Sequence, residues 1–175
     1  NGNGIVVFNT RRAAKMVIMD IDHPDIEEFI YCKVVEEKKA KALIDAGYDA
    51  GIDGDAYGTV SYQNANNSIS VTDEFMHAVE EDQNWSTVFR TNKQEAKKYR
   101  AKELMRMIAE AAHTCGDPGL FYYSTVNQWH TCPNDGEIRN PNPCSEYVFL
   151  NDTACNLSSL NLLKFLDDDG VFDVD

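Results

Sequence analysis

Short apolar runs alternate with longer amphipathic stretches along the chain, and that alternation predicts strands separated by helices. Lys15 to Asp20 is a run of Val, Ile and Met bounded by charge, the pattern of a buried strand. A helix start follows it. Asp22 offers a cap, Pro24 sits where a missing N–H costs nothing, and Asp25, Glu27 and Glu28 suit the positive end of the helix dipole. Ile26, Phe29, Ile30, Leu43 and Ile44 form an apolar stripe, Glu37 can pair with Lys41, and Gly47 stops a helix predicted over residues 24 to 46.

From Gly47 to Gly58 the chain turns to Gly, Asp and Tyr without periodicity, which predicts a functional or mobile loop. Ser68 to Thr72 alternates Ile69 and Val71 with small polar residues, a half-buried strand. Thr72 or Asp73 then caps a short helix carrying Phe75, Met76 and Val79. Trp85 to Arg90 reads as extended. Leu104, Met107, Ile108 and Ala111 share one face of a helix from Ala101 to His113, broken by Gly116-Asp-Pro-Gly119. Asn127 to Pro143 is irregular, Tyr147 to Leu150 is strand-like, and Asn156 to Leu166 reads as a last helix. Strands joined by helices of this length predict an α/β fold with parallel pairing.

Composition narrows the function. Acidic residues outnumber basic ones 29 to 16, so a nucleic-acid surface is not expected. Apolar runs are too short to span a bilayer, and a cytoplasmic chain without membrane contact is the expectation. The five cysteines include no C-x-x-C pair, which argues against structural zinc and leaves thiol chemistry or burial.

The densest chemistry lies in Asn142-Pro143-Cys144-Ser145-Glu146. On an extended backbone, residues two apart point the same way, so an amide, a thiol and a carboxyl would converge; a polar turn around a buried cysteine is the alternative. Gln63, Asn64, Asn66 and Asn67 form a run of amides able to read base edges or to fix turns. Arg11 and Arg12 can meet phosphate, an acidic surface or solvent.

Asn142-x-Cys144-x-Glu146, followed by Cys155-Asn-Leu-Ser-Ser-Leu-Asn-Leu162, resembles the large chains of ribonucleotide reductases. Thr10-Arg-Arg-Ala-Ala-Lys-Met16, His23-Pro-Asp-Ile-Glu-Glu-Phe-Ile30, Gln63-Asn-Ala-Asn-Asn-Ser68 and Trp129-His-Thr-Cys-Pro133 resemble the adenosylcobalamin-dependent class, over residues 10 to 166. The resemblance implies a fragment of a ten-stranded α/β barrel. It implies that Cys144 becomes a thiyl radical taking the 3′ hydrogen of a ribonucleotide substrate, that Glu146 is the general base, and that Asn142 orients the sugar hydroxyls. Cys155 would be half of a reducing dithiol, restored by a thioredoxin-like or glutaredoxin-like reductant. Its partner cysteine is not found in Asn1 to Asp20, so the fragment alone would be inactive without the remainder of the reductase chain.

The resemblance also implies dNTP effectors, with Gln63, Asn64 and Asn66 in the region coupling them to base choice. Cys32, Cys115 and Cys132 are expected to be structural. Two rivals stand beside this reading: a class I large chain using a metal-radical partner subunit, and a non-catalytic assembly fragment. Before Thr10 the likeness fails. Asn1-Gly-Asn-Gly-Ile-Val-Val-Phe-Asn9 resembles an intein C-terminal block, with Phe8 in place of the usual His, so residues 1–9 read as an intein remnant and 10–175 as the partial barrel domain; an edge strand or a chance match is the alternative.

Overall fold

A computed structural model describes residues 14–51 and 53–172. Its centre is a parallel sheet of three strands, β1 (Lys15–Asp20), β2 (Ala65–Val71) and β5 (Gly119–Tyr122), in the order β1-β2-β5. Met16 pairs with Asn66, Ile18 with Ser68 and Asp20 with Ser70, while Ser68 and Ser70 face Gly119 and Phe121 on the other side. Between β1 and β2 runs α1 (Ile26–Asp45) with the short α2 (Asp55–Gly58). Between β2 and β5 lie α3 (Asp73–Glu80), an antiparallel hairpin of β3 (Asn84–Val88) and β4 (Glu95–Arg100), and α4 (Ala101–Cys115). α5 (Tyr123–Gln128) follows β5 directly.

The strand alternation sorts the two sheet faces. Met19, Ile69, Val71 and Leu120 turn toward the helices and join Ile26, Ile30, Phe75, Leu104 and Ile108 in one apolar core. Each fully buried side chain of this size contributes roughly 1.5–3 kcal/mol. Phe75 packs edge-on against Trp85 with centroids 5.1 Å apart, and the Trp85 indole N–H finds the Ile21 carbonyl at 3.3 Å. The opposite face carries Met16, Ile18 and Asp20, Asn66, Ser68 and Ser70, and Gly119 and Phe121. Those small polar residues leave room for a second layer.

The predicted β1, α1, α3 and α4 are present, and Thr72 caps α3 by accepting from the Phe75 N–H at 3.3 Å. Other details differ. Asp22 does not cap α1, because Arg90 takes its carboxylate at 2.9 and 2.5 Å and so ties the β3–β4 hairpin to the end of β1. Glu37 receives the Tyr57 hydroxyl at 3.0 Å, which anchors α2 within what the sequence predicts as loop. The strand expected at Tyr147 to Leu150 is reduced to one antiparallel bridge, Pro141 with Val148.

The helix predicted over Asn156 to Leu166 does not form; a single turn of 3-10 helix spans Leu162–Phe165, and Leu157, Leu160, Leu162 and Leu163 stand exposed. Amphipathic spacing needs an apolar partner surface to stabilise a helix, and among the described residues nothing covers these leucines.

Candidate functional site

A finger of chain crosses the polar face of the sheet and carries Cys144 at its tip. Its base is fixed by Asn127 near the end of α5, whose Oδ1 accepts from the Ile138 N–H and whose Nδ2 donates to the Ile138 carbonyl, both at 2.9 Å. Ile138 is buried, so the clamp satisfies a backbone that water does not reach. The Pro141–Val148 bridge then closes the stem, with the Asn142 N–H donating to the Tyr147 carbonyl at 2.9 Å.

Beyond the stem the chain turns tightly. The Ser145 N–H donates to the Asn142 carbonyl at 3.0 Å, and Ser145 takes a left-handed φ of 66°. Asn142 Oδ1 accepts from the Tyr147 N–H at 3.0 Å. The extended stretch inferred from the sequence is therefore corrected: Asn142, Cys144 and Glu146 surround a turn and do not line one face of a strand. Pro143, with its fixed φ, and Ser145 dictate the bend. Cys144, Ser145 and Glu146 are exposed at the tip, a free thiol and a carboxylate two residues apart.

Beside the finger lies a cleft of about 610 Å³ between Met16, Ile18 and Asp20 of β1 and the arm Arg139–Pro143. It shares Asp20 and Arg139 with a second cleft of about 390 Å³ at the C-terminal ends of β1 and β2, lined by Thr72, Glu74, Arg90, Tyr123 and Glu137 as well. Glu137 beside the Tyr123 hydroxyl pushes that phenol above its ordinary range. Behind the finger, His130 stacks edge-on against Phe149 at 5.8 Å and Phe149 meets Tyr147 at 6.3 Å. That aromatic row stiffens the return strand of the finger.

Of the amide run, Gln63 and Asn64 occupy an exposed turn before β2. Asn66 reaches the finger: its Nδ2 donates to the Pro143 carbonyl at 2.6 Å. Asn67 points the other way, into the helix layer, and its amide donates to Cys32 Sγ at 3.3 Å. Burial pushes the Cys32 thiol up. Cys155 is half-buried in irregular chain, and all five cysteines are free thiols. Among the described residues no three His, Cys, Asp or Glu side chains cluster as a metal site. Sequence reasoning missed Asn127 and the contact of Asn66 with the finger. An Asn in an irregular segment carries no mark of which distant backbone it will hold.

The fold and the finger together define a mixed α/β protein that presents a thiol and a carboxylate on a tight turn over the polar face of a parallel sheet. The chain belongs to the family described as ribonucleotide reductase, barrel domain, whose model matches residues 6–175. It is 56% identical over 166 residues to a vitamin B12-dependent ribonucleotide reductase of Rhodopirellula baltica, covering 94% of this chain and 16% of that protein. A protein of the same description from Streptomyces avermitilis is 56% identical over 161 residues, 92% of this chain and 17% of the relative. A vitamin B12-dependent ribonucleoside-diphosphate reductase of Thermoplasma acidophilum is 32% identical over 165 residues, 94% of this chain and 19% of its own length. The chain thus spans about a fifth or less of the length of the curated relatives it matches. Residues 10–13 of the Thr10–Met16 segment and the intein-like residues 1–9 lie outside the described residues.

Proposed function

We propose that this chain is part of an adenosylcobalamin-dependent ribonucleotide reductase and supplies its radical-bearing thiol. The observation that carries the reading is the exposed Cys144 at the tip of a braced finger, two residues from the Glu146 carboxylate, in a chain of this family. The three parallel strands would form part of a ten-stranded barrel, with the finger reaching across its interior.

When bound, the cofactor supplies a carbon-centred radical. Cys144 fits that chemistry, since its thiol is free and exposed and an S–H bond gives up its hydrogen atom readily. The resulting thiyl takes the 3′ hydrogen of the ribose. Glu146 accepts the 3′ hydroxyl proton while the 2′ hydroxyl leaves as water with a proton from the reducing dithiol, and Cys144 returns its hydrogen to C3′ at the end of the cycle. Asn142, its Oδ1 held by the Tyr147 N–H, orients the sugar hydroxyls with its amide nitrogen. Cys155 and a second cysteine give two electrons and two protons, close to a disulfide, and are restored by a thioredoxin-like or glutaredoxin-like protein. Gln63 and Asn64, on their exposed turn, would take part in coupling dNTP effectors to base choice.

Among the described residues no helix is long and apolar enough to cross a membrane, and the reading places the reaction in the cytoplasm. The test is turnover by the complete reductase with adenosylcobalamin and no second subunit. Deoxynucleotide formation supports the assignment; a strict requirement for a metal-bearing partner overturns it in favour of the class I alternative. The intein reading of residues 1–9 is tested separately, by expressing the preceding coding sequence with this one. Release of a peptide at Asn9 supports it, and an intact product removes it.

A further inference from the structure

We propose that Asn66 is a positioning residue that sets where the Cys144 thiol stands, a role distinct from base recognition and resting on the reading of Cys144 as the reacting thiol. The geometry is a bond between residues 77 apart in sequence: Asn66 Nδ2 donates to the Pro143 carbonyl at 2.6 Å. Pro143 directly precedes Cys144, and a peptide group is rigid, so the carbonyl oxygen of Pro143 and the Cα of Cys144 lie in one plane. The proline ring already fixes its own φ. Of the backbone torsions leading into Cys144, the ψ of Pro143 is the one that a hold on its carbonyl oxygen fixes, and with it the direction in which Cys144 leaves the turn. After Cys144 the turn is closed by Ser145 and Tyr147, both bonded to Asn142.

A clamp works only if its own base does not slide. Asn66 stands on β2 between two residues tied down from the helix side. Lys33 of α1 donates to the Ala65 carbonyl and to the Asp117 carboxylate, an ion pair only 14% and 19% exposed. The same Asp117 oxygen accepts from the Asn67 N–H at 3.4 Å, and the Asn67 side chain reaches Cys32. The strand is therefore braced on its helix face at 65 and 67 and presents its amide on the other face at 66. Asparagine suits the post because it is short and donates; an aspartate would set an acceptor against the carbonyl.

The test uses the complete reductase with Asn66→Ala and Asn66→Asp. Asn66 is exposed, so both variants are expected to fold. For Asn66→Ala, kcat falls about 10-fold with KM unchanged within about 2-fold, as for a reacting group moved out of line. Backbone hydrogen exchange in the peptide 141–148 quickens, while exchange at Ile69–Val71 stays the same. For Asn66→Asp, kcat relative to the native enzyme recovers as pH is lowered and the carboxyl takes up the proton that lets it donate; Asn66→Ala shows no such recovery. A rise in KM alone would make Asn66 a substrate contact and overturn the proposal, as would unchanged kcat and unchanged exchange. The exchange readout needs no turnover. Full activity of Cys144→Ser would sink the underlying assignment whatever the exchange shows, so the two failures are told apart.

Discussion

Replacing Asn127 with alanine cuts the root of the finger. The native side chain makes two bonds of 2.9 Å to the Ile138 backbone and a third of 3.0 Å to the Tyr123 carbonyl within α5. Alanine removes them all and leaves the N–H and C=O of Ile138, a residue only 3% exposed, without partners. An unsatisfied buried polar group costs about 1–3 kcal/mol, and partial relaxation toward water lowers the sum, so local opening should become easier by roughly 2–4 kcal/mol. At 1.4 kcal/mol per decade this is about a 30- to 700-fold gain in the open population. Hydrogen exchange by mass spectrometry on the complete protein reads it directly. Peptides spanning 136–148 should quicken by that factor, and α4 peptides should not. Asn127→Asp retains the acceptor for the Ile138 N–H and should fall between. Exchange across 136–148 that stays within about 3-fold of native refutes the anchoring argument.

Other consequences are as direct. Because burial raises the Cys32 thiol while Cys144 stands exposed, iodoacetamide at neutral pH should label Cys144 well before Cys32, and Cys32 should gain reactivity only as pH is raised; equal rates on peptide mapping would contradict this. Glu36 is held below the usual carboxylate range by Lys39 at 2.5 Å and the Ser61 N–H at 2.9 Å, so its stabilising effect is present above that range and lost as pH falls through its lowered value. Glu36→Gln should therefore quicken exchange at the Ser61 amide at pH 7, with the gap to native closing in acid. A methyl at Gly119 would lie 3.0 Å from Ser68 Oγ, so Gly119→Ala should destabilise the β2–β5 pairing by about 1 kcal/mol, and Ser68→Ala in the same chain should restore it in a melting experiment.

The sheet-to-helix plan was legible because it is written in periodicity. β1 matches its apolar run residue for residue, and α1 and α4 end where Gly47 and Gly116 take positive φ of 97° and 81°. β4 escaped notice because Glu-Ala-Lys-Lys-Tyr-Arg is an exposed edge whose only buried-side signals are Ala96 and Tyr99. β5 is four residues long, too short for a pattern, and α5 follows it without a break. At the finger the motif grouped Asn142, Cys144 and Glu146 in one short stretch, which forms a single turn, but their arrangement differs from the one expected. The alternation rule assumes an extended backbone, and Pro143 with Ser145 at φ 66° makes a turn instead. The brackets that hold that turn, Asn66 and Asn127, act across long sequence separations, which local pattern does not record.

The account stands on the sulfur of Cys144, and one substitution addresses it. In the complete reductase with adenosylcobalamin, Cys144→Ser keeps the size of the side chain and removes the S–H bond. Chromatographic assay of deoxynucleotide product should then show none above background, with substrate still bound. Product formation at the native rate would contradict the account.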